Sequence, residues 1–233
     1  IRTFRVNSYK EFAAEVFKIS PLYILLAQCS LVVKKDIINL MGENIINLHH
    51  GNLPKYRGMG PITNAILAGE KIFGVSLHTV EEKIDTGKIL EQRTFNISNL
   101  TNEEVYKLCI KYDQVLINNL FSKVNLSQKL ITFKQDESVA SYFSKESLNY
   151  SNPIINFSQS SEKILRFCRA YFFPSKNLFP IIEVNNLKYY VLSLPKVGSK
   201  ANQPNLYKMD DEEKSLSISS NDRWLVFKKI KIK

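Results

Sequence analysis

Two stretches decide how this 233-residue chain is read. The first is Asn-Ile-Ile-Asn-Leu-His-His-Gly-Asn-Leu-Pro-Lys-Tyr-Arg-Gly-Met-Gly-Pro-Ile from Asn44 to Ile62. The second is Gly-Val-Ser-Leu-His-Thr-Val-Glu-Glu-Lys-Ile-Asp-Thr-Gly-Lys-Ile-Leu from Gly74 to Leu90. Ile45 to Leu48 is a short apolar run, the pattern of a buried strand, and its carboxyl end delivers Asn47 and His49 into a loop punctuated by Gly and Pro. In an open α/β sheet, ligands bind beyond the carboxyl ends of the strands. Val75 to Val80 reads as another strand, followed by a polar loop that carries Asp85. An amide, an imidazole and a carboxylate thus come from two loops able to meet in space.

Those three groups answer separate needs of a reaction that moves a carbonyl-containing group to a nucleophile. The amide N–H of Asn47 can donate to a developing oxyanion. A neutral His49 can take the proton of an attacking amine or help hold the oxyanion. The carboxylate of Asp85 can orient the imidazole or a water and stabilise positive charge as the proton moves. No Ser or Cys lies in a Gly-x-Ser-x-Gly elbow, so a covalent acyl-enzyme is not indicated.

Asn47-Leu48-His49, Leu53-Pro54-Lys55-Tyr56-Arg57-Gly58 and Asp85-Thr86-Gly87 together resemble the signature of the formyltransferases that use 10-formyltetrahydrofolate. Order and spacing agree, with 38 residues from Asn47 to Asp85. The resemblance is strong from Ile45 to Ile97 and weaker on either side. It implies direct transfer of a formyl group to an amine, with Asn47, His49 and Asp85 as the catalytic group. It also implies that Gly51, Leu53, Pro54 and Ile84 face the folate donor and that Lys55, Tyr56, Arg57 and Gly58 contact the acceptor. The implied fold is α/β: a Rossmann-like formyltransferase domain with a small β-rich, OB-like C-terminal domain. Family members begin with a strand, a helix and a second strand before the region matching Ile1 to Lys35. The first strands are therefore expected to be missing, in an N-terminally incomplete sequence. Where the family often has Ser-Leu-Leu-Pro, this chain has Gly51-Asn52-Leu53-Pro54, losing a hydroxyl near the folate-facing loop. That departure weighs against methionyl-tRNA as acceptor and for an amino-sugar nucleotide.

With 44% hydrophobic residues the chain can bury one large core and a small one. No apolar run approaches the ~18 residues of a membrane span. Cys29, Cys109 and Cys168 are far apart in apolar surroundings and read as buried thiols in a reducing cytoplasm. The excess of 32 Lys and Arg over 22 acidic residues keeps a polyanionic partner open, whether a nucleotide-linked substrate, a folate polyglutamate or tRNA. A solvated surface in a Lys-rich proteome explains the same excess.

Residues 1–134 are expected to form the catalytic domain, 135–153 a linker and 154–233 the β-rich domain. Tyr9, Phe12, Ala13, Val16 and Phe17 have helical spacing, and a strand follows at Leu22 to Ala27. Gln28, Cys29 and Ser30 come at the end of that strand, where a cofactor ring has room. A short amphipathic turn from Asp36 to Met41 precedes the central strand. A helix opens at Pro61 and ends at Gly69, and a strand runs from Ile89 to Ile97. Thr101 with Glu104 makes a capping box for a long helix whose apolar stripe is Val105, Leu108, Cys109, Tyr112, Leu116 and Leu120. Helical spacing returns from Ser161 to Ala170. Strand pairs are expected at Ile181 to Leu194, turning at Asn185-Asn186, and at Leu216 to Ile218 with Trp224 to Ile232, turning at Asn221-Asp222. Arg169-Ala170 and Pro174 echo the family's Arg-Ala and Pro pattern there.

Each sharp reading has a bland counterpart. His49 and His50 are adjacent and point apart, and no Cys, His and carboxylate set has ligand spacing, so no metal is expected. His50 reads as a loop residue and His78 as a packed, hydrogen-bonded strand residue. No Gly-x-Gly-x-x-Gly follows a first strand, so a nicotinamide dinucleotide site is unsupported. Tyr171, Phe172 and Phe173 read as core. Three functions remain: a formyltransferase, a catalytically silent folate- or nucleotide-binding module, and an interaction domain built on the basic tail. The presence together of Asn47, His49 and Asp85 favours the first. Oligomeric state is not legible.

Overall fold

The computed structural model describes residues 2–29, 31–210 and 215–233, so Ser30 lies outside the described residues. Helix α1 (Tyr9–Ile19) begins where the Ser8 side chain accepts the Glu11 N–H, and it buries Phe12 and Val16. Strand β1 (Ile24–Ala27), helix α2 (Lys35–Met41) and strand β2 (Ile45–His49) follow. The residues read as an amphipathic turn thus close into a true helix, which buries Ile37. Phe12, Val16, Val33, Ile37 and Ile45 form one apolar core.

The short strand β3 (Arg57–Gly58) and helix α3 (Pro61–Ala68) lead to β4 (Ile72–Thr79) and β5 (Ile89–Asn96). The main sheet has the order β1-β2-β4-β5. β1 and β2 are parallel, whereas β4 runs antiparallel to β2 with Asn47 opposite His78 and His49 opposite Ser76. The apolar run of β4 carries no mark of strand direction, so sequence alone left its sense open. Its alternation does explain its face: in both strands polar residues alternate with Leu48 or Leu77, which places Asn47, His49, Ser76 and His78 on one side.

Helix α4 (Asn102–Asn125) starts at the expected capping box, with the Thr101 N–H donating to Glu104 at 2.8 Å and the Glu104 N–H to the Thr101 hydroxyl at 3.4 Å. Val105, Cys109, Leu116 and Leu120 are buried along its stripe. Beyond it, β6 (Tyr142–Phe143) pairs in parallel with β3.

Helix α5 (Ser161–Ala170) precedes the antiparallel strands β7 (Ile181–Val184), β8 (Leu187–Val191), β9 (Lys196–Lys200), β10 (Tyr207–Asp210), β11 (Ser215–Ser219), β12 (Arg223–Phe227) and β13 (Ile230–Ile232). Asn185 and Asn186, both with positive φ, turn the β7–β8 hairpin as expected. The tail departs from expectation. Trp224 to Ile232 is not one strand: β12 pairs with β11 and β9, while β13 crosses to β8. β9, polar and Gly-containing, and β10, exposed throughout, gave no alternation to read. Ile164, Cys168, Ile182, Val191, Leu216, Leu225 and Phe227 close the core of this region.

The chain separates into two compact units that interleave. One comprises residues 1–61, 73–95 and 109–144, the other 62–72, 96–108 and 145–233. Within the stretch 135–153, residues 135–144 are held to β3 by backbone bonds: the Arg57 and Met59 N–H groups donate to the Ser141 and Phe143 carbonyls, each at 2.9 Å. Among the described residues no helix is long and apolar enough to cross a membrane.

Candidate active site

A cleft of about 360 Å³ in the first unit is walled by Leu26, Val33, Val80 and Ile84, with Asn47, His49, His78 and Asp85 on its polar side. β2 supplies Asn47 and His49, so His49 is the last residue of the strand rather than part of the loop beyond it. Asp85 comes from the β4–β5 connection, whose neck is closed by reciprocal bonds of Thr79 with Lys88. Its backbone lies in the left-handed region, φ 56°, which Asp tolerates better than most residues. The Gly58 N–H donates to its Oδ2 at 2.9 Å. Gly58 itself has φ 86°, and a Cβ there would fall 2.2 Å from the Phe143 carbonyl oxygen.

The three expected side chains come together around this carboxylate. His49 Nδ1 is 3.5 Å from Asp85 Oδ2, and Asn47 Nδ2 is 3.5 Å from Oδ1. His78 completes the set: its Nε2 lies 3.1 Å from Asn47 Nδ2 and 3.4 Å from Asp85 Oδ1, and its Nδ1 is 2.7 Å from the Thr79 carbonyl. Since a carbonyl only accepts, the proton of a neutral His78 sits on Nδ1, and Nε2 receives the Asn47 amide. His78 is therefore buried and hydrogen-bonded, as expected, and also fixes a site residue. The signal for this was the alternation Asn47-Leu48-His49 beside Ser76-Leu77-His78.

His49 has the opposite tautomer. Its Nε2 donates to the Tyr56 carbonyl at 2.8 Å, leaving the Nδ1 lone pair beside Asp85. The ring is 8% exposed. Burial, with the nearby His78 and His50 rings, holds its pKa below the ordinary value, against the pull of Asp85 and the Tyr56 carbonyl. For Asp85, burial opposes the charge, but the His78 and His49 rings when protonated, together with the Gly58 N–H, outweigh it and bring the carboxyl down to about 2. At neutral pH the site is a neutral base facing a carboxylate. If His49 is the base, protonating it stops the reaction, and its lowered pKa puts that loss on the acid side of about 6.5, the unperturbed value. A kcat profile from pH 4.5 to 8 is expected to stay level through 6.5 and fall below it. An acid limb centred at or above 6.5 would remove His49 from that role.

The other expected site residues are spread more widely. Gly58 and Ile84 line the cleft, whereas Gly51, Leu53, Pro54, Lys55, Tyr56 and Arg57 are not on its wall. Leu53 and Tyr56 are buried and Lys55 is exposed. Gly51 matters by what it lacks, since a Cβ there would lie 2.3 Å from His49 Nε2. Ser76, fully buried, pins the same loop by donating to the Gly51 carbonyl at 2.6 Å and accepting the Leu53 N–H at 3.3 Å. Arg57 is buried and bound to Gln135 and Glu137. His50, read as a loop residue, is paired with the buried Asp113 of α4 at 2.8 Å. Of the cysteines, Cys109 and Cys168 are buried as expected, but Cys29 is exposed at the cleft. Among the described residues, no group of three or more His, Cys, Asp or Glu is arranged to hold a metal ion.

Residues 3–117 match the family model described as formyl transferase. The chain is 30% identical over 210 residues to the methionyl-tRNA formyltransferase of Campylobacter lari, an alignment covering 88% of this chain and 63% of the relative. Among solved structures it resembles WlaRD, a sugar 3N-formyl transferase crystallised in the presence of dTDP and 5-N-formyl-THF (26% identity, TM-score 0.70, 88% of this chain and 72% of that one). It also shares its fold with the N-formyltransferase of Helicobacter canadensis, solved with folinic acid and dTDP-3-aminofucose (24% identity, TM-score 0.72, 89% and 73%). Residues 3–117 thus form a formyl transferase domain. It spans between half and two thirds of the length of the first curated relatives it matches.

Proposed function

We propose that this protein transfers a formyl group from 10-formyltetrahydrofolate to the primary amine of an amino-sugar nucleotide. The convergence of Asn47, His49 and Asp85 at one end of an apolar-walled cleft carries the reading. The apolar wall suits a folate ring, and the polar end suits a formyl group under attack. The amine nitrogen bonds to the formyl carbon, the carbonyl electrons move onto oxygen, and the bond to the folate nitrogen then breaks. His49 Nδ1 takes the proton the amine loses and returns it to the departing nitrogen, while Asp85 balances the charge that His49 carries in between. Asn47 exchanges its long 3.5 Å contact with Asp85 for the developing oxyanion and keeps its bond to His78. The protein acts as a soluble cytoplasmic enzyme in this reading.

The likeness to WlaRD, a sugar 3N-formyl transferase, supports this acceptor. The curated relatives named methionyl-tRNA formyltransferase support the second reading, with tRNA as acceptor. Salt separates the two. Six or more neutralised tRNA phosphates would weaken binding roughly a thousandfold or more between low and moderate salt, whereas a diphosphate loses far less. The expected result is formylation of a dTDP-linked amino sugar with a shallow salt dependence and no formylation of methionyl-tRNA. A steep slope with formylated tRNA reverses the choice of acceptor.

A further inference from the structure

Arg57 brings a charged group into the first unit without presenting it to the cleft. Its Nε and Nη2 donate to Gln135 Oε1 at 3.0 and 2.7 Å, and its Nη1 and Nη2 donate to the two oxygens of Glu137 at 2.9 and 2.6 Å. The other end of the Gln135 amide faces the Asp85 loop. Its Nε2 donates to the Asp85 carbonyl at 2.8 Å and to the Gly87 carbonyl at 2.7 Å. Asp85, a non-glycine residue in a left-handed conformation, is thereby held twice. Gln135 grips its carbonyl, and Gly58, the residue after Arg57, grips its carboxylate. Arg57 ties the two grips together.

We infer that Gln135 is a positioning residue that fixes the aim of the Asp85 carboxylate at His49 and Asn47. The inference rests on the reading of Asp85 as part of the catalytic group. Gln135 is not on the cleft wall, so it acts through Asp85 and not on a substrate. The chemistry of the position is selective. Two carbonyl oxygens converging on one point need two N–H donors from one atom, and the Arg57 guanidinium at the far end needs an acceptor. A primary amide supplies both without charge. A carboxylate would keep the bond to Arg57 and turn an acceptor toward two acceptors, while a lysine would satisfy the carbonyls and repel Arg57.

The test uses the full chain and three variants: Gln135→Glu, Gln135→Met and Asp85→Asn. Gln135→Glu retains the pairing with Arg57, and Gln135→Met retains the side-chain length with no donor. A carboxylate misplaced by about an ångström can cost on the order of a hundredfold in turnover. The expected result is therefore a fall in kcat of roughly tenfold to a hundredfold in both Gln135 variants, with KM for donor and acceptor within about twofold of the parent. If Asp85→Asn retains full turnover, the reading of Asp85 fails and takes the inference with it. If Asp85→Asn is inactive while both Gln135 variants keep kcat within about twofold, the inference is overturned and the catalytic reading stands. A rise in KM at unchanged kcat, or a kcat loss that disappears on cooling well below the melting temperature of the variant, assigns Gln135 to the scaffold and also overturns it.

Discussion

Replacing Asp85 by Asn lowers kcat by on the order of a hundredfold or more in a chain that stays folded. Asn matches Asp in size and tolerates the left-handed backbone at this position, φ 56°. Its side-chain oxygen can still accept the Gly58 N–H that now binds Oδ2 at 2.9 Å. What disappears is the charge 3.5 Å from His49 Nδ1. A proton arriving on that ring is then uncompensated in a buried site, so the transition state loses stabilisation that the ground state never used. Steady-state kinetics with thermal melting checks both parts. Near-parental kcat in a folded Asp85→Asn protein removes the carboxylate from the chemistry.

Gly51→Ala has an expected effect of similar size from a change of one methyl group. An alanine Cβ would sit 2.3 Å from His49 Nε2 and 2.6 Å from its Cδ2, with the Tyr56 carbonyl oxygen 3.1 Å away on the same side. The ring has little freedom to yield, because it is buried and its Nε2 is bound to that same carbonyl at 2.8 Å. Either the imidazole leaves its position, or the loop moves against the Ser76 bond to the Gly51 carbonyl. Both outcomes displace the imidazole from Asp85, and with His49 in its proposed role turnover is expected to fall by roughly a hundredfold. A stability loss of about 1–3 kcal/mol accompanies it, in the range of other overpacked interiors. Unchanged turnover would mean that the imidazole position is unimportant.

Legibility followed the range of the interaction. Asn47, His49 and Asp85 were readable because strand ends deliver polar residues into loops, and their spacing matches a family signature. The capping box at Thr101 and Glu104 and the turn at Asn185-Asn186 were readable because each is settled within a few residues. His78 was only half readable, since period-two alternation shows which face it occupies but not that an antiparallel β4 sets it opposite Asn47. Gln135 and Glu137 were invisible. Their partners Asp85, Gly87 and Arg57 lie roughly 50 to 80 positions away, and a polar residue in an aperiodic segment looks like any linker residue. The division of the tail into β12 and β13 was lost for a related reason, as only the adjacent Lys228 and Lys229 interrupt the alternation where the chain changes partner strands.

The interleaving of the two compact units bears on how the chain can be cut and how it is made. The first unit is complete once residue 144 exists, whereas residues 62–72 and 96–108 of the second must wait for everything from 145 onward. During synthesis, those two early segments therefore emerge long before the strands of their own unit, and the cleft-bearing unit is complete first. A truncation ending at residue 134 removes Gln135, Glu137 and the β6 strand along with the tail, so it discards part of the support of the site. A piece that keeps every contact of Asp85 described above ends no earlier than Gln135, and one that keeps the whole first unit ends at residue 144 and strands two segments of the second unit without their partners.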